Sequence, residues 1–136
     1  MPQMIFVNLS VKDLETTKSF WSKLGFSFNP QFSDESTACL VFSDTIFAML
    51  MTEPRFKDFL KPGKEISDAG RTSEVLLALS ADSREEVDRL ADAALAGGGS
   101  AATEAQDHGF MYGRSFTDPD GHHWEVVWMD PAATQG

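Results

Sequence analysis

Phe116-Thr117-Asp118-Pro119-Asp120-Gly121-His122-His123-Trp124-Glu125-Val126-Val127-Trp128-Met129 is the stretch that decides how the chain folds. Pro119 presets φ and Gly121 supplies a positive-φ position, so Asp118-Pro119-Asp120-Gly121 predicts a tight turn. The residues after the turn alternate. Trp124, Val126 and Trp128 fall on one face of a strand, and His123, Glu125, Val127 and Met129 on the other. The face of Trp and Val seeks a core. The face with a carboxylate must look into a space that tolerates or uses a charge.

The rest of the chain supplies that strand with neighbours. Val75 to Ser80 predicts a strand, and Ser83-Arg84-Glu85-Glu86 is a capping box opening a helix whose buried stripe is Val87, Leu90, Ala91, Ala94 and Leu95. Gly97-Gly98-Gly99 stops the helix, and strands follow at Ser100 to Thr103 and Phe110 to Phe116. Earlier in the chain the same order occurs. Met4 to Val11 alternates as a strand, with Phe6, Asn8 and Ser10 on one face. Asp13 caps a helix with the stripe Leu14, Thr17, Phe20, Trp21 and Leu24, which ends at Gly25. Strands are expected at Phe26 to Phe28, Thr37 to Phe42 and Thr45 to Met51. A short helix starting at Pro54 carries Phe56, Phe59 and Leu60, and the tail from Pro131 is expected to be loose.

Leu9-Ser10 and Leu79-Ser80 end a strand at equivalent points, an offset of 70 residues. Each half therefore runs strand, helix, three strands. The expectation is one domain over 1–136: module one over about 4–52, a connector over 53–72, and module two over about 73–130. Two such modules are expected to join around a shared concave surface, with helices on the outer faces.

Composition narrows the function. At 136 residues, with 42% hydrophobic and 11% aromatic residues, the chain has an ordinary globular make-up. Its 21 acidic against 11 basic residues give a net charge of −10, which argues against nucleic acid and anionic membrane as partners. Cys39 is the single cysteine, so neither a disulfide framework nor a cysteine-rich metal site is expected. Met4-Ile5-Phe6-Val7 is too short for a membrane span, and a cytoplasmic location is expected.

The paired modules, with Val11-Lys12-Asp13-Leu14 opening the first helix and Asp118-Pro119-Asp120-Gly121-His122-His123-Trp124-Glu125 near the end, resemble the vicinal oxygen chelate superfamily. That group holds glyoxalase I, extradiol dioxygenases, methylmalonyl-CoA epimerase, and the fosfomycin- and bleomycin-resistance proteins. The resemblance covers roughly residues 4 to 130. It implies an α+β fold: two βαβββ modules forming a cup-shaped, mostly antiparallel eight-stranded sheet, usually in a homodimer. It also implies four metal ligands from His, Gln or Glu. Their positions fall here on Phe6, on Ala48 or Met49, on Leu76 and on Glu125. Only Glu125 is a ligand type, and one carboxylate cannot hold a divalent ion tightly.

No cofactor is therefore expected, a divalent metal held at a displaced site by Glu74, His123 and Glu125 being the alternative. Glu125 is the candidate catalytic residue, as a general base; it is otherwise a binding carboxylate or a solvated strand residue. Phe6, Asn8, Ser10, Met49, Arg114 and His123 are the candidates for contact with a small-molecule ligand. Asn8 and Ser10 equally suit hydrogen bonds to nearby backbone, and Arg114 equally suits a surface acid. The chain is expected to be a metal-independent small-molecule-binding protein like the bleomycin-resistance proteins, or else a glyoxalase-like lyase or isomerase.

Overall fold

The computed structural model of the protein describes residues 1–134 and divides into two compact units, Met1–Ser67 and Asp68–Gly136. The first unit contains β1 (Ile5–Val11), α1 (Leu14–Lys23), β2 (Ser27–Phe28), β3 (Thr37–Val41), β4 (Ile46–Thr52) and α2 (Glu53–Lys57). Its sheet has the order β1-β4-β3-β2, with β1 parallel to β4 and the other pairs antiparallel. The second unit contains β5 (Leu76–Ser80), α3 (Arg84–Ala96), β6 (Ser100–Ala101), β7 (Gln106–Asp107), β8 (Met111–Thr117) and β9 (His123–Met129). Here the order is β5-β9-β8-β6, and β7 also pairs with β8. Again the first strand lies parallel to the last and the remaining pairs are antiparallel. The repeat seen in the sequence is thus a repeat of topology.

The class is α+β with mostly antiparallel pairing, as expected. The described residues hold nine strands, in sheets of four and five, where eight were expected. The extra one is β7, which forms where the stretch after Thr103 doubles back along β8 at Gly113 and Tyr112.

Both main helices begin on side-chain caps. The Asp13 carboxylate accepts the Glu15 and Thr16 N–H groups at 3.0 and 3.5 Å, and the Ser83 hydroxyl accepts the Glu86 N–H at 3.1 Å. In α1 the residues Leu14, Thr17, Phe20 and Trp21 are buried, and Phe20 meets Trp21 edge to face. In α3 the buried residues are Val87, Leu90, Ala91 and Ala94, on a helix that packs against β8 and β9. Leu95 does not join them. It is 40% exposed, because at 100° per residue it stands at the flank of that stripe.

Two other expectations are corrected. Pro54 lies in the first turn of α2, but the helix stops at Lys57, so Phe59 and Leu60 fall beyond it. Phe59 is instead exposed under the guanidinium of Arg55, 4.8 Å from its ring. The tail begins with a helical turn, α4 (Pro131–Thr134), where a loose end was expected; residues 135 and 136 lie outside the described residues.

The turn between β8 and β9 is built around a buried acid. Asp118 is 5% exposed, and its Oδ1 accepts the N–H groups of Asp120 and His122, both at 3.0 Å. Its Oδ2 accepts the indole N–H of Trp124 at 3.1 Å. Burial pushes the Asp118 carboxyl above the usual carboxylate range, against these donors and the nearby His122. Gly121 closes the turn at φ +92°, where a Cβ would sit 2.7 Å from the Ala69 carbonyl oxygen and 2.9 Å from the Gly70 Cα. Only glycine fits both the backbone conformation and the space.

Candidate functional site

The second unit carries a cavity of about 210 Å³, bordered by Thr103, Glu104 and Gln106 on one side and by β8 and β9 on the other. The strands contribute Met111, Gly113, Ser115, Glu125 and Val127, all on one face of the sheet by strand parity. Ladder register sets Glu125 between Ser115 on β8 and Ala78 on β5, two small neighbours that leave its side chain room. Along its own strand, the imidazole Nε2 of His123 lies 3.1 Å from Glu125 Oε2. The Glu125 side chain is 38% exposed and that of His123 13%. The pair is therefore a half-buried carboxylate backed by a more deeply buried imidazole.

The wall opposite is fixed by hydroxyls. The Thr103 N–H donates to Ser115 Oγ at 2.9 Å, and the two hydroxyls are 2.7 Å apart. This anchors an irregular stretch that the sequence reading placed at the end of a strand, so Glu104 and Gln106 were missed as site residues. No periodicity marks them. The small residues Gly113 and Ser115, alternating within a strand of larger ones, were the available signal.

Arg114 is turned the other way. Its guanidinium Nη1 donates to Asp88 Oδ1 at 3.0 Å and to Asp92 Oδ1 at 2.8 Å, both on α3. The Tyr112 hydroxyl also donates to Asp88, at 2.6 Å, and this bond with Arg114 behind it holds the Asp88 carboxyl below its usual range. The carboxylate raises Tyr112 in return. Arg114 thus borders the cavity with its guanidinium Nη1 engaged by the two acids of α3, the surface-acid role weighed for it. Next to it, Arg84 grips Asp107 with both Nη atoms at 2.9 Å, donates to the Gly109 carbonyl, and lies 5.1 Å from the Tyr112 and Trp128 ring centres. That fork pushes the Asp107 carboxyl down to about 2. His108 stays exposed in the loop, 3.4 Å from the Gln106 amide oxygen.

In the first unit, Phe6, Asn8 and Ser10 pair with Phe47, Met49 and Met51 and share one sheet face with them. Phe6 stacks on Phe47 with centroids 4.9 Å apart and planes 10° from parallel. The Asn8 amide donates to the Phe6 carbonyl oxygen at 3.0 Å, the local backbone role weighed for it. Ser10 is buried, while Phe6 and Asn8 are exposed. These four candidates are thus brought together on one face, as His123 and Glu125 are in the other unit.

The donors present do not fit the metal that the resemblance implies. At the four positions stand an exposed Phe6, Ala48 or Met49, an exposed Leu76 and Glu125. Glu74 is exposed and precedes β5. Among the described residues no three His, Cys, Asp or Glu side chains group as a metal ion requires.

A two-module α+β chain with a cavity beside a strand carboxylate is a frame shared by many ligand-binding and enzymatic domains. This chain belongs to the Glyoxalase/Bleomycin resistance protein/Dioxygenase superfamily, whose profile matches residues 3–126. Members of that superfamily bind small molecules. No curated protein matches the sequence significantly. Among solved structures, it is similar to a hypothetical protein from S. aureus at 28% identity and TM-score 0.76, covering 94% of this chain and 95% of that one. It is also similar to the genomically encoded fosfomycin resistance protein of Listeria monocytogenes, at 19% identity and TM-score 0.65, covering 92% and 91%. A third is the bleomycin resistance determinant of transposon Tn5, at 18% identity and TM-score 0.62, covering 93% and 98%. The last two likenesses speak to the fold alone. Among the described residues no helix is long and apolar enough to cross a membrane.

Proposed function

We propose that this protein is a small-molecule-binding member of the superfamily that works without the usual divalent metal site. The observation that carries the reading is the cavity beside Glu125, the one ligand-type residue among the four metal-ligand positions of the resemblance, with His123 hydrogen-bonded to it. Glu125 and His123 act as polar fixtures in the second unit, and Phe6, Asn8, Ser10 and Met49 are the first unit's candidates for ligand contact. The cavity is lined chiefly by polar residues, Thr103, Glu104, Gln106, Arg114, Ser115 and Glu125, with Met111 and Val127 as its apolar part, so polar contacts fix what it holds. The protein works as a cytoplasmic homodimer, with no nucleic-acid or membrane partner.

The test is metal content of the untagged protein together with calorimetric titration of Zn²⁺, Ni²⁺ and Mn²⁺. No stoichiometric ion, and no binding at micromolar metal, is the expected result. A stoichiometric ion that disappears in Glu125→Ala overturns the reading.

A second reading is favoured by the His123–Glu125 hydrogen bond, because an imidazole that orients a carboxylate suits a general base. Under it the protein is a glyoxalase-like lyase or isomerase, with Glu125 abstracting a proton next to a carbonyl or holding an ion at a displaced site. Exchange of a substrate C–H proton with D₂O, abolished by Glu125→Gln, would establish it; exchange that persists in that variant would rule Glu125 out.

A further inference from the structure

We infer that the cavity of the second unit selects a small organic cation bearing N–H donors, such as a protonated amine or a guanidinium. This rests on the small-molecule-binding reading above and assigns the ligand's class. Two carboxylates, Glu104 and Glu125, border the cavity. The one cationic side chain on its border, Arg114, has its guanidinium held by Asp88 and Asp92 on α3. An anion entering would therefore meet two negative charges with no cation aimed at it, whereas a cation finds both.

The rest of the lining narrows the class. Around the carboxylates stand the Gln106 amide and the Ser115 and Thr103 hydroxyls, which can accept as well as donate and so add lone pairs for a ligand's N–H groups. No lining residue is aromatic, so the ring faces that bind a quaternary ammonium are lacking. The volume of about 210 Å³ is below the ~300–1,000 Å³ of drug-sized pockets, which restricts the occupant to a small molecule or to the charged end of a larger one.

Gly113 forms part of the floor and offers a clean way to close the cavity. A Cβ placed there would meet only Val126 O and Val127 Cγ2, both at 3.5 Å, an ordinary contact distance. Gly113→Leu is thus expected to fold and to fill the space, with the amide spectrum and thermal midpoint as controls.

The experiment titrates butylamine, butanol, butyrate and tetramethylammonium into the ¹⁵N-labelled protein and follows the amide resonances of Gly113, Ser115, Glu125 and Val127. Butylamine is expected to give saturable shifts at these amides, and the other three probes are expected to bind at least about tenfold more weakly. Glu125→Gln should weaken butylamine about fivefold, and Gly113→Leu should remove its shifts. If butanol binds as well as butylamine, the cavity is a ligand site but its preference for cations is wrong. If butyrate binds better, the charge argument fails outright. If no probe shifts these amides, both the cation assignment and the cavity's role in small-molecule binding fall. Scattered shifts at acidic residues that survive in Gly113→Leu would reduce the effect to general attraction by a chain of net charge −10, and would overturn the proposal.

Discussion

Asp118 receives three N–H donors in a site closed to water, so its two oxygens must both accept. An asparagine there presents an amide NH₂ to a donor. Asp118→Asn is expected to lose about 1–3 kcal/mol, measured by urea unfolding, from the buried polar mismatch. A neutral result would show that the turn rearranges. Gly121→Ala should cost about 2 kcal/mol or more, because φ +92° and a 2.7 Å approach to Ala69 oppose the methyl group together. Asp107 gives a pH prediction. Its carboxyl sits at about 2, below the usual 3.8, so the Arg84 fork stabilises the fold above about pH 4 and that contribution is lost as the pH falls towards 2. Asp107→Asn should therefore flatten the acid limb of stability between pH 4 and 2 while changing its slope little near neutrality. An unchanged acid limb would remove Asp107 from the account.

At the level of elements, the helices were legible in the sequence because their signals are local. Asp13 and Ser83 cap as the spacing predicted, and Ser83→Ala should cost α3 about 1 kcal/mol in thermal or urea unfolding. If the loss is negligible, packing on β8 and β9 alone sets the start of the helix. The long strands were legible too, since alternation is visible over seven residues in β1, β8 and β9. What escaped was non-local or too short for a period. A two-residue strand such as β7 carries no alternation, and it forms only because β8 is there to pair with. The site divides along the same line. Glu125 and His123 sit on one strand two residues apart, so parity placed them together. The commitment of Arg114 to Asp88 and Asp92 lies 22 to 26 residues away in sequence and had no signature. Glu104 and Gln106 enter the cavity wall through a hydroxyl pair, Thr103 and Ser115, that pattern reading cannot see.

For the whole molecule, charge is the property that the sequence fixes most directly. A net charge of −10 opposes non-specific aggregation near neutrality, and this repulsion vanishes near the isoelectric point of about 4.5. Turbidity in low salt should peak between about pH 4 and 5; a flat profile across that range would mean that charge does not control its solubility. The parallel placement of β1 on β4, and of β5 on β9, has a consequence for synthesis. A nascent chain leaves the ribosome from its N-terminus, so the apolar segment Ile5–Val11 is made long before the ladder partner Ile46–Thr52. The same delay recurs when Leu76–Ser80 waits for His123–Met129. Each half of the polypeptide thus begins with a strand that must wait for the last one, and during that interval it is the natural place for a holding chaperone to bind or for two growing chains to pair wrongly.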